Sequence, residues 1–236
     1  MNMPGEEKTA TGEGKLLIWH DAIPGHETDI EHWYNTEHHF ERLDIPGFLE
    51  AHRYQASDTS IRRFMCLYRT IDPSILASDR YLERLNKPTP WTRKVMPLYC
   101  NFSRTVCETL FVKGRAEGAW SAVLAFSLSG KSPGGLTSDT MEIISENLML
   151  LPGILRCQWL KRASPEKPSM PSIEAALRGA PDRQIDAAIL IDTNFSDQAL
   201  VALGALEEWL GKFTIRYDAQ QRGCYQQVFS ARRADA

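Results

Sequence analysis

The chain has 236 residues, 43% hydrophobic and 24% charged, with a formal net charge of -3. That balance describes one large or two small globular units with a sizeable core. The lack of any basic excess argues against nucleic acid or an anionic membrane surface as partner and leaves a small molecule as the expected one.

In chain order, Met1–Gly14 is polar, lacks the apolar stretch of a signal peptide and reads as a flexible tail. Hydrophobic periodicity then predicts a strand over Lys15–Ala22, a helix over Glu27–Leu43, strands over Phe48–Gln55 and Arg63–Ile71, and a helix over Ser74–Leu85 opened by Pro73. The prolines of Asn86–Pro97 allow one short helix at most, and Phe102–Val112 is a strand. Beyond Gly114–Gly118, read as a linker, the order recurs: strand Trp120–Leu128, helix Ser138–Leu150, strands Ile154–Lys161 and Ile185–Asp192, helix Asp197–Leu210 and strand Gly223–Ala231. Ser138 and Ser196 stand where helix N-caps belong. The apolar runs Ala122–Phe126 and Ala187–Ile191 have strand length and fall far short of a membrane span.

The recurrence extends to residues. Leu43-Asp44-Ile45-Pro46-Gly47-Phe48-Leu49 reappears as Met149-Leu150-Leu151-Pro152-Gly153-Ile154-Leu155, and the same offset of 106 (149 − 43) lays Leu16–His20 on Ala122–Phe126. Repetition of a whole supersecondary unit implies an α+β fold of two tandem ferredoxin-like βαββαβ repeats that pack as an intramolecular α/β barrel. The division that follows is a tail over 1–14, repeat 1 over 15–113, a linker over 114–118 and repeat 2 over 119–233. An insertion between Ala163 and Gln184 has no counterpart in the first copy; loops of that length are either functional or disordered.

All six histidines fall within residues 20 to 52, and the second copy has none. At the common offset His20 becomes Phe126, Glu37 becomes Ile143, His38 becomes Ile144 and Arg42 becomes Leu148. At about 100° per residue, Ile30, Trp33, Tyr34, Glu37 and Glu41 share one helix stripe with His38 at its flank, whereas His32 and His39 point to the opposite side. A carboxylate on a sheet-facing stripe needs a partner, water or a ligand, with Arg42, Arg53 or Arg69 as structural alternatives. Strand alternation puts Leu16, Ile18 and His20 on one face, Leu17, Trp19 and Asp21 on the other, and groups Phe48, Glu50, His52 and Tyr54.

Several chemistries lack their signatures. His32 and His39 lie about 10 Å apart along the helix axis, too far to share an ion, and no H-E-x-x-H spacing occurs, so no metal is expected. Ser129-Gly130-Lys131-Ser132 resembles the end of a phosphate-binding loop, but Ala125 stands at its first glycine position. Five cysteines without a C-x-x-C pair give no disulfide framework, and a reducing cytoplasm is the expected compartment.

The run Trp33-Tyr34-Asn35-Thr36-Glu37-His38-His39-Phe40-Glu41-Arg42-Leu43, followed by Ile45-Pro46-Gly47-Phe48 and Arg53-Tyr54, resembles the dimeric α/β-barrel superfamily, particularly its EthD-like members, with their W-Y-x-x-E-H element and P-G-F turn. The likeness covers most of the first copy, Thr89-Pro90-Trp91-Thr92 included; the second matches in pattern only. The resemblance implies a pocket between helices and sheet, with Glu37 and His38 as the matching helix positions. It also implies small cyclic or aromatic substrates, handled by cofactor-free oxygenases, isomerases, lyases or dehydratases, with haem-binding branches beside them.

The expectation is therefore a cofactor-independent enzyme, active as a monomeric pseudo-dimer or a homodimer. His38 serves as general acid/base, Glu37 orients or charge-couples it or is itself the base if burial raises its pKa, and His20 assists. Of the substrate-binding residues, His52, Arg53 or Tyr54, with His20, stabilises developing negative charge, and Trp33, Tyr34 and Trp91 supply apolar walls. The alternatives are a non-catalytic binding or stress-associated barrel and a haem- or metal-dependent barrel enzyme.

Overall fold

A computed structural model describes residues 12–57, 60–128, 136–164, 172–179 and 181–234. Most of the proposed tail, the Ser129–Ser132 segment and part of the Ala163–Gln184 insertion lie outside the described residues. The first half comprises β1 (Gly14–Ala22), α1 (Glu27–Trp33), a π-helical turn (Tyr34–His38), α2 (His39–Leu43), β2 (Phe48–Ala56) and β3 (Phe64–Thr70). It continues with a 3-10 turn (Pro73–Ala77), α3 (Asp79–Asn86), α4 (Pro90–Val95), a second 3-10 turn (Met96–Leu98) and β4 (Tyr99–Gly114). The second half runs β5 (Trp120–Leu128), α5 (Ser138–Met149), β6 (Ile154–Arg162), α6 (Ile173–Arg178), β7 (Ala187–Thr193), α7 (Ser196–Lys212) and β8 (Tyr217–Arg232).

The eight strands close into an antiparallel barrel in the order β1-β3-β2-β8-β5-β7-β6-β4. Within it the first half contributes β4-β1-β3-β2 and the second β8-β5-β7-β6, so the same order appears twice, and the halves join at β2–β8 and β4–β6. Closure leaves no sheet edge to pair with another chain. The Pro-Gly turns are equivalent in detail. Gly47 and Gly153 have φ of 94° and 80°, which glycine adopts without penalty. A Cβ would strike Ile75, in the 3-10 turn after β3, at the first and Gln198, in α7 after β7, at the second.

Alternation along each strand divides the apolar residues into three cores. Leu17, Trp19, Met65, Leu67, Val123 and Leu190 fill the barrel interior. Leu16, Ile18, Cys66 and Tyr68 face outward under α1 to α4, and Ala122, Leu124, Phe126 and Ile189 face outward under α5 and α7.

The structure departs from the sequence reading in five places. The helix expected over Ser74–Leu85 is broken at Ser78, whose backbone is extended, into a 3-10 turn and α3. The N-caps are Thr137, whose hydroxyl accepts the Thr140 N–H, and Phe195, whose own N–H donates to Gln198 Oε1; Ser138 and Ser196 are the first helical residues. A β-bulge between Phe48 and Glu50 turns Phe48 outward with Ala51, separating it from Tyr54, which points inward. The insertion contains a short helix, α6, capped by Ser172. The first helix is not α-helical throughout, and the π turn moves the buried stripe. Beyond it the buried residues are His38, His39, Arg42 and Leu43, where uniform geometry predicted Glu37 and Glu41. Wider i→i+5 bonding takes up one extra residue per turn, which shifts everything after it along the face. His39, expected toward solvent, is therefore 0% exposed.

Candidate functional site

The outward face of β1, β3 and β4, roofed by the first-half helices, forms a cleft that is unusually ionisable for a core. His20, His38, His39, Arg42 and Arg53 are all buried there. Their equivalents at the common offset are Phe126, Ile144, Ser145, Leu148 and Trp159, which are equally buried. At these positions the second half keeps one polar side chain, Ser145, whose hydroxyl accepts the Trp159 Nε1–H at 2.8 Å and lies 3.5 Å from Cys157 Sγ. The positions share depth but differ in chemistry. Burying polar groups without full compensation lowers stability, so the polar version costs the first half stability that the apolar version does not.

A cavity of about 30 Å³ lies in the cleft, lined by Tyr34, His38, Arg42, Tyr68, Tyr81, Tyr99, Arg104, Glu174 and Arg178 among others. It has room for about one water molecule. His38 packs on Trp33 with ring centroids 4.0 Å apart, and its Nδ1 lies 3.8 Å from Glu41 Oε2. Burial, and after it the charge of Arg42, holds the His38 pKa well below the usual imidazole range, so the ring is neutral at pH 7. Glu41 also pairs with Arg84 at 2.6 Å, and burial raises its pKa.

Glu37 does not orient His38. Its Oε1 accepts bonds from Thr89 at 2.6 Å, Trp33 Nε1 at 3.2 Å and Thr92 at 3.4 Å, which pin the start of α4 to the first helix. Thr89 is also the N-cap of α4. Glu41 is the carboxylate beside His38.

His20 adjoins the cavity through Tyr34 and Tyr99, its ring 5.8 and 4.6 Å from theirs. Its Nδ1 lies 3.2 Å from the Asp21 carbonyl oxygen, which fixes the proton there and leaves a bare Nε2. Burial and then Arg53 depress its pKa to about 3. Arg53 lies between the rings of Tyr34 and Phe64, with Glu31 Oε1 3.4 Å from Nη1. His39 stacks between Tyr34 and Phe229 with neither ring nitrogen bonded, and burial lowers its pKa to about 3.

The other expected binding residues are elsewhere. Trp33 backs His38 from within the helix core and does not line the cavity. Trp91 in α4 is partly buried against the first-half core and meets exposed His32, 5.1 Å between rings, without lining the cavity. Tyr54 points into the barrel interior. His52 lies in the same layer, with Nε2 3.2 Å from Glu50. At that barrel end Glu50, His52 and Glu117 bring ligand atoms within 4.8 Å of one another. Arg69 and Arg232 pair with Glu50, and Arg156 pairs with Glu117, so guanidinium groups already balance these carboxylates. His20, His38 and His52 do not converge, because the first two face outward and the third inward.

Sequence reasoning missed Tyr68, Tyr81, Arg104, Glu174 and Arg178. Tyr68 could have been found from alternation in β3, and Arg42 from its place one turn beyond His38. Glu174 comes from the second-half insertion, and nothing in its local sequence points to the first half. Arg42 Nη2 lies 2.7 and 2.8 Å from its two carboxylate oxygens. Burial works against the Arg42 charge, but Glu174 more than compensates, and the pKa rises above its ordinary value. Arg104 donates to the Tyr81 hydroxyl at 2.8 Å, and Arg178 lies over the Phe102 ring at 4.2 Å.

Fold and cleft together define an α+β barrel protein with one ionisable interhelical site. No family model matches the sequence, and no curated protein matches it. Solved structures do. An anthrone oxidase-like protein aligns with a TM-score of 0.59 at 11% identity over 97% of this chain and 95% of its own. A Fusobacterium nucleatum protein provisionally named a monooxygenase aligns at 0.53 and 10% identity, covering 94% and 95%. A mutant chlorite dismutase from Candidatus Nitrospira defluvii aligns at 0.54 and 9% identity, covering 94% and 93%. These likenesses speak for the fold alone. Among the described residues no helix is long and apolar enough to cross a membrane.

Proposed function

We propose that this chain is an enzyme for a small cyclic or aromatic metabolite, of EthD-like type, built as a tandem fusion in which residues 15–113 form the active repeat, 114–118 the linker and 119–233 a mainly structural repeat. One observation carries the reading. At matched, equally buried positions the first half holds His20, His38, Arg42 and Arg53 where the second holds Phe126, Ile144, Leu148 and Trp159.

His38 is the general acid/base. A neutral imidazole accepts a proton from an acidic C–H or O–H, and Glu41 beside Nδ1 stabilises the imidazolium that results. Arg42 and Arg104, with the hydroxyls of Tyr68 and Tyr99, supply positive potential and donors for the oxyanion or enolate formed as the proton leaves. The bare Nε2 of His20 and the charge of Arg53 lie behind Tyr34 and set the field from the other side. The chemistry needs no cofactor and suits isomerisation, elimination or oxygenation of an anionic ring. At about 30 Å³ the closed cavity holds neither a haem nor a ring, so any organic ligand needs its wall to open.

Ligand binding without turnover is a second reading, favoured by His38 Nδ1, which is buried with no hydrogen-bond partner to orient the ring for proton transfer. Incubating the protein with a panel of phenols, cyclic ketones and aromatic acids, in air and under argon, tests both by mass spectrometry. Product formation that His38→Gln abolishes supports the enzyme; ligands that shift the melting temperature without product support the binding protein; neither outcome would sink both.

A further inference from the structure

A helix from the second half closes the first half's cavity, and the contact that closes it is a carboxylate on a guanidinium. We propose that the cavity is the receptor for a small organic carboxylate, and that Glu174 on α6 occupies the place of that carboxylate until the ligand displaces it. The proposal rests on the enzyme reading and deepens it by naming the charge its ligand carries.

The Arg42–Glu174 pair is not made in the best way available to it. Both Glu174 oxygens converge on Nη2, and Nη1, buried in a side chain 2% exposed, has no hydrogen-bond partner. A carboxylate that approaches along the fork pairs one oxygen with each nitrogen, which is the stronger arrangement. Other donors wait in the same lining: the Tyr68 hydroxyl and Arg178 Nε are buried and unbonded. Burial raises the Tyr68 pKa, so its hydroxyl keeps its proton and donates. Unmet donors gathered around one guanidinium call for an acceptor-rich anion.

Besides Glu174, α6 is held by the Ser172 cap, the Ile173 N–H to Asn86 Oδ1 bond at 3.1 Å, Leu177 against the first-half core, and Arg178, which lies over the Phe102 ring, 3.9 Å from Met96 Sδ, and pairs with Asp182 at 2.6 Å. A six-residue helix joined to the core through these side chains opens at lower free energy than the core it covers. Displacing Glu174 therefore both frees Arg42 and removes the wall that limits the cavity to one water, making room for a ring.

Chemical rescue tests this. In Glu174→Ala the melting temperature falls, and sodium formate or benzoate restores it saturably, beyond sodium chloride at equal ionic strength. Benzoate binds that variant at least about tenfold more tightly than the wild-type protein, because the internal competitor is gone. Adding Arg42→Met abolishes the response. Should Glu174→Ala not fold, Glu174→Gln keeps the shape without the charge and must show the same benzoate gain. Formate acting no better than chloride, or equally well without Arg42, would overturn the proposal. His38→Gln keeps the anion response if the proposal holds. Turnover lost in that variant without any anion response sinks only the carboxylate assignment, whereas an anion response without turnover of any panel compound sinks only the enzyme reading.

Discussion

The His38 ring packs on Trp33, five residues before it, with ring centroids 4.0 Å apart. In a continuous α-helix residues i and i+5 point about 140° apart and cannot meet on one face. The π turn over Tyr34–His38 brings them together, and it places Tyr34, His38, His39 and Arg42 on the buried side at once. Such turns interrupt α-helices mostly where function needs a particular side-chain direction.

Deleting Asn35 should restore α-helical bonding and leave Trp33 and His38 four residues apart, about 40° around the axis, so the stack and the buried face beyond it are kept. The expected result is unchanged helix content by circular dichroism, a stability change of no more than roughly 1–3 kcal/mol from local repacking, and a retained ligand response. A deletion variant that folds but loses the response would show that the site needs the π turn itself and not only the direction it gives His38.

Acid should weaken the protein through three imidazoles. His20, His38 and His39 are neutral when folded, with pKa values pushed to about 3, well below 6.5 and to about 3 by burial. The unfolded chain takes up protons near pH 6.5 that the folded chain refuses. Stability is thus full above about pH 6.5 and falls as pH drops toward 3, by up to about 1.4 kcal/mol per pH unit for each ring. Denaturant melts at pH 7, 6, 5 and 4 would show the slope. Its absence would mean that solvent reaches these rings.

His39 offers a sharper version of that experiment. Stacked between Tyr34 and Phe229 with both nitrogens unbonded, it occupies an aromatic slot. His39→Phe should stabilise the fold by about 1–3 kcal/mol by removing buried unsatisfied polar atoms, and should flatten the acid slope by one group. A destabilised variant would point to a partner for the imidazole.

Thr89→Ala removes the α4 cap and the shortest bond to Glu37 together. A loss of about 1–2 kcal/mol is expected, with His38 chemistry intact because Glu37 serves structure. If Glu37→Gln instead abolished activity while leaving the melting temperature unchanged, Glu37 rather than Glu41 would be the carboxylate that orients His38.

Strand and helix positions were largely legible because alternation and amphipathic periodicity are local, and the barrel's repeated strand order follows from them. The concentration of histidines in one copy and the apolar residues opposite them were legible too. The site's wiring was not. Assuming 100° per residue sent His39 to solvent and selected Glu37 over Glu41, since no local pattern announces a π turn. A bulge after Phe48 broke the alternation that had grouped it with His52 and Tyr54. Glu174 depends on how the second half folds over the first, a tertiary fact that its own neighbours in sequence do not encode.

Acid/base chemistry through His38 is what the first-half cleft is proposed to do, and kcat for His38→Gln on whichever panel compound the wild-type protein turns over tests it most directly. A fall of roughly 10²–10⁴-fold is expected, the usual contribution of a positioned acid/base group, with the melting temperature and anion response retained. Undiminished kcat in a folded variant would contradict the assignment of His38 as acid/base.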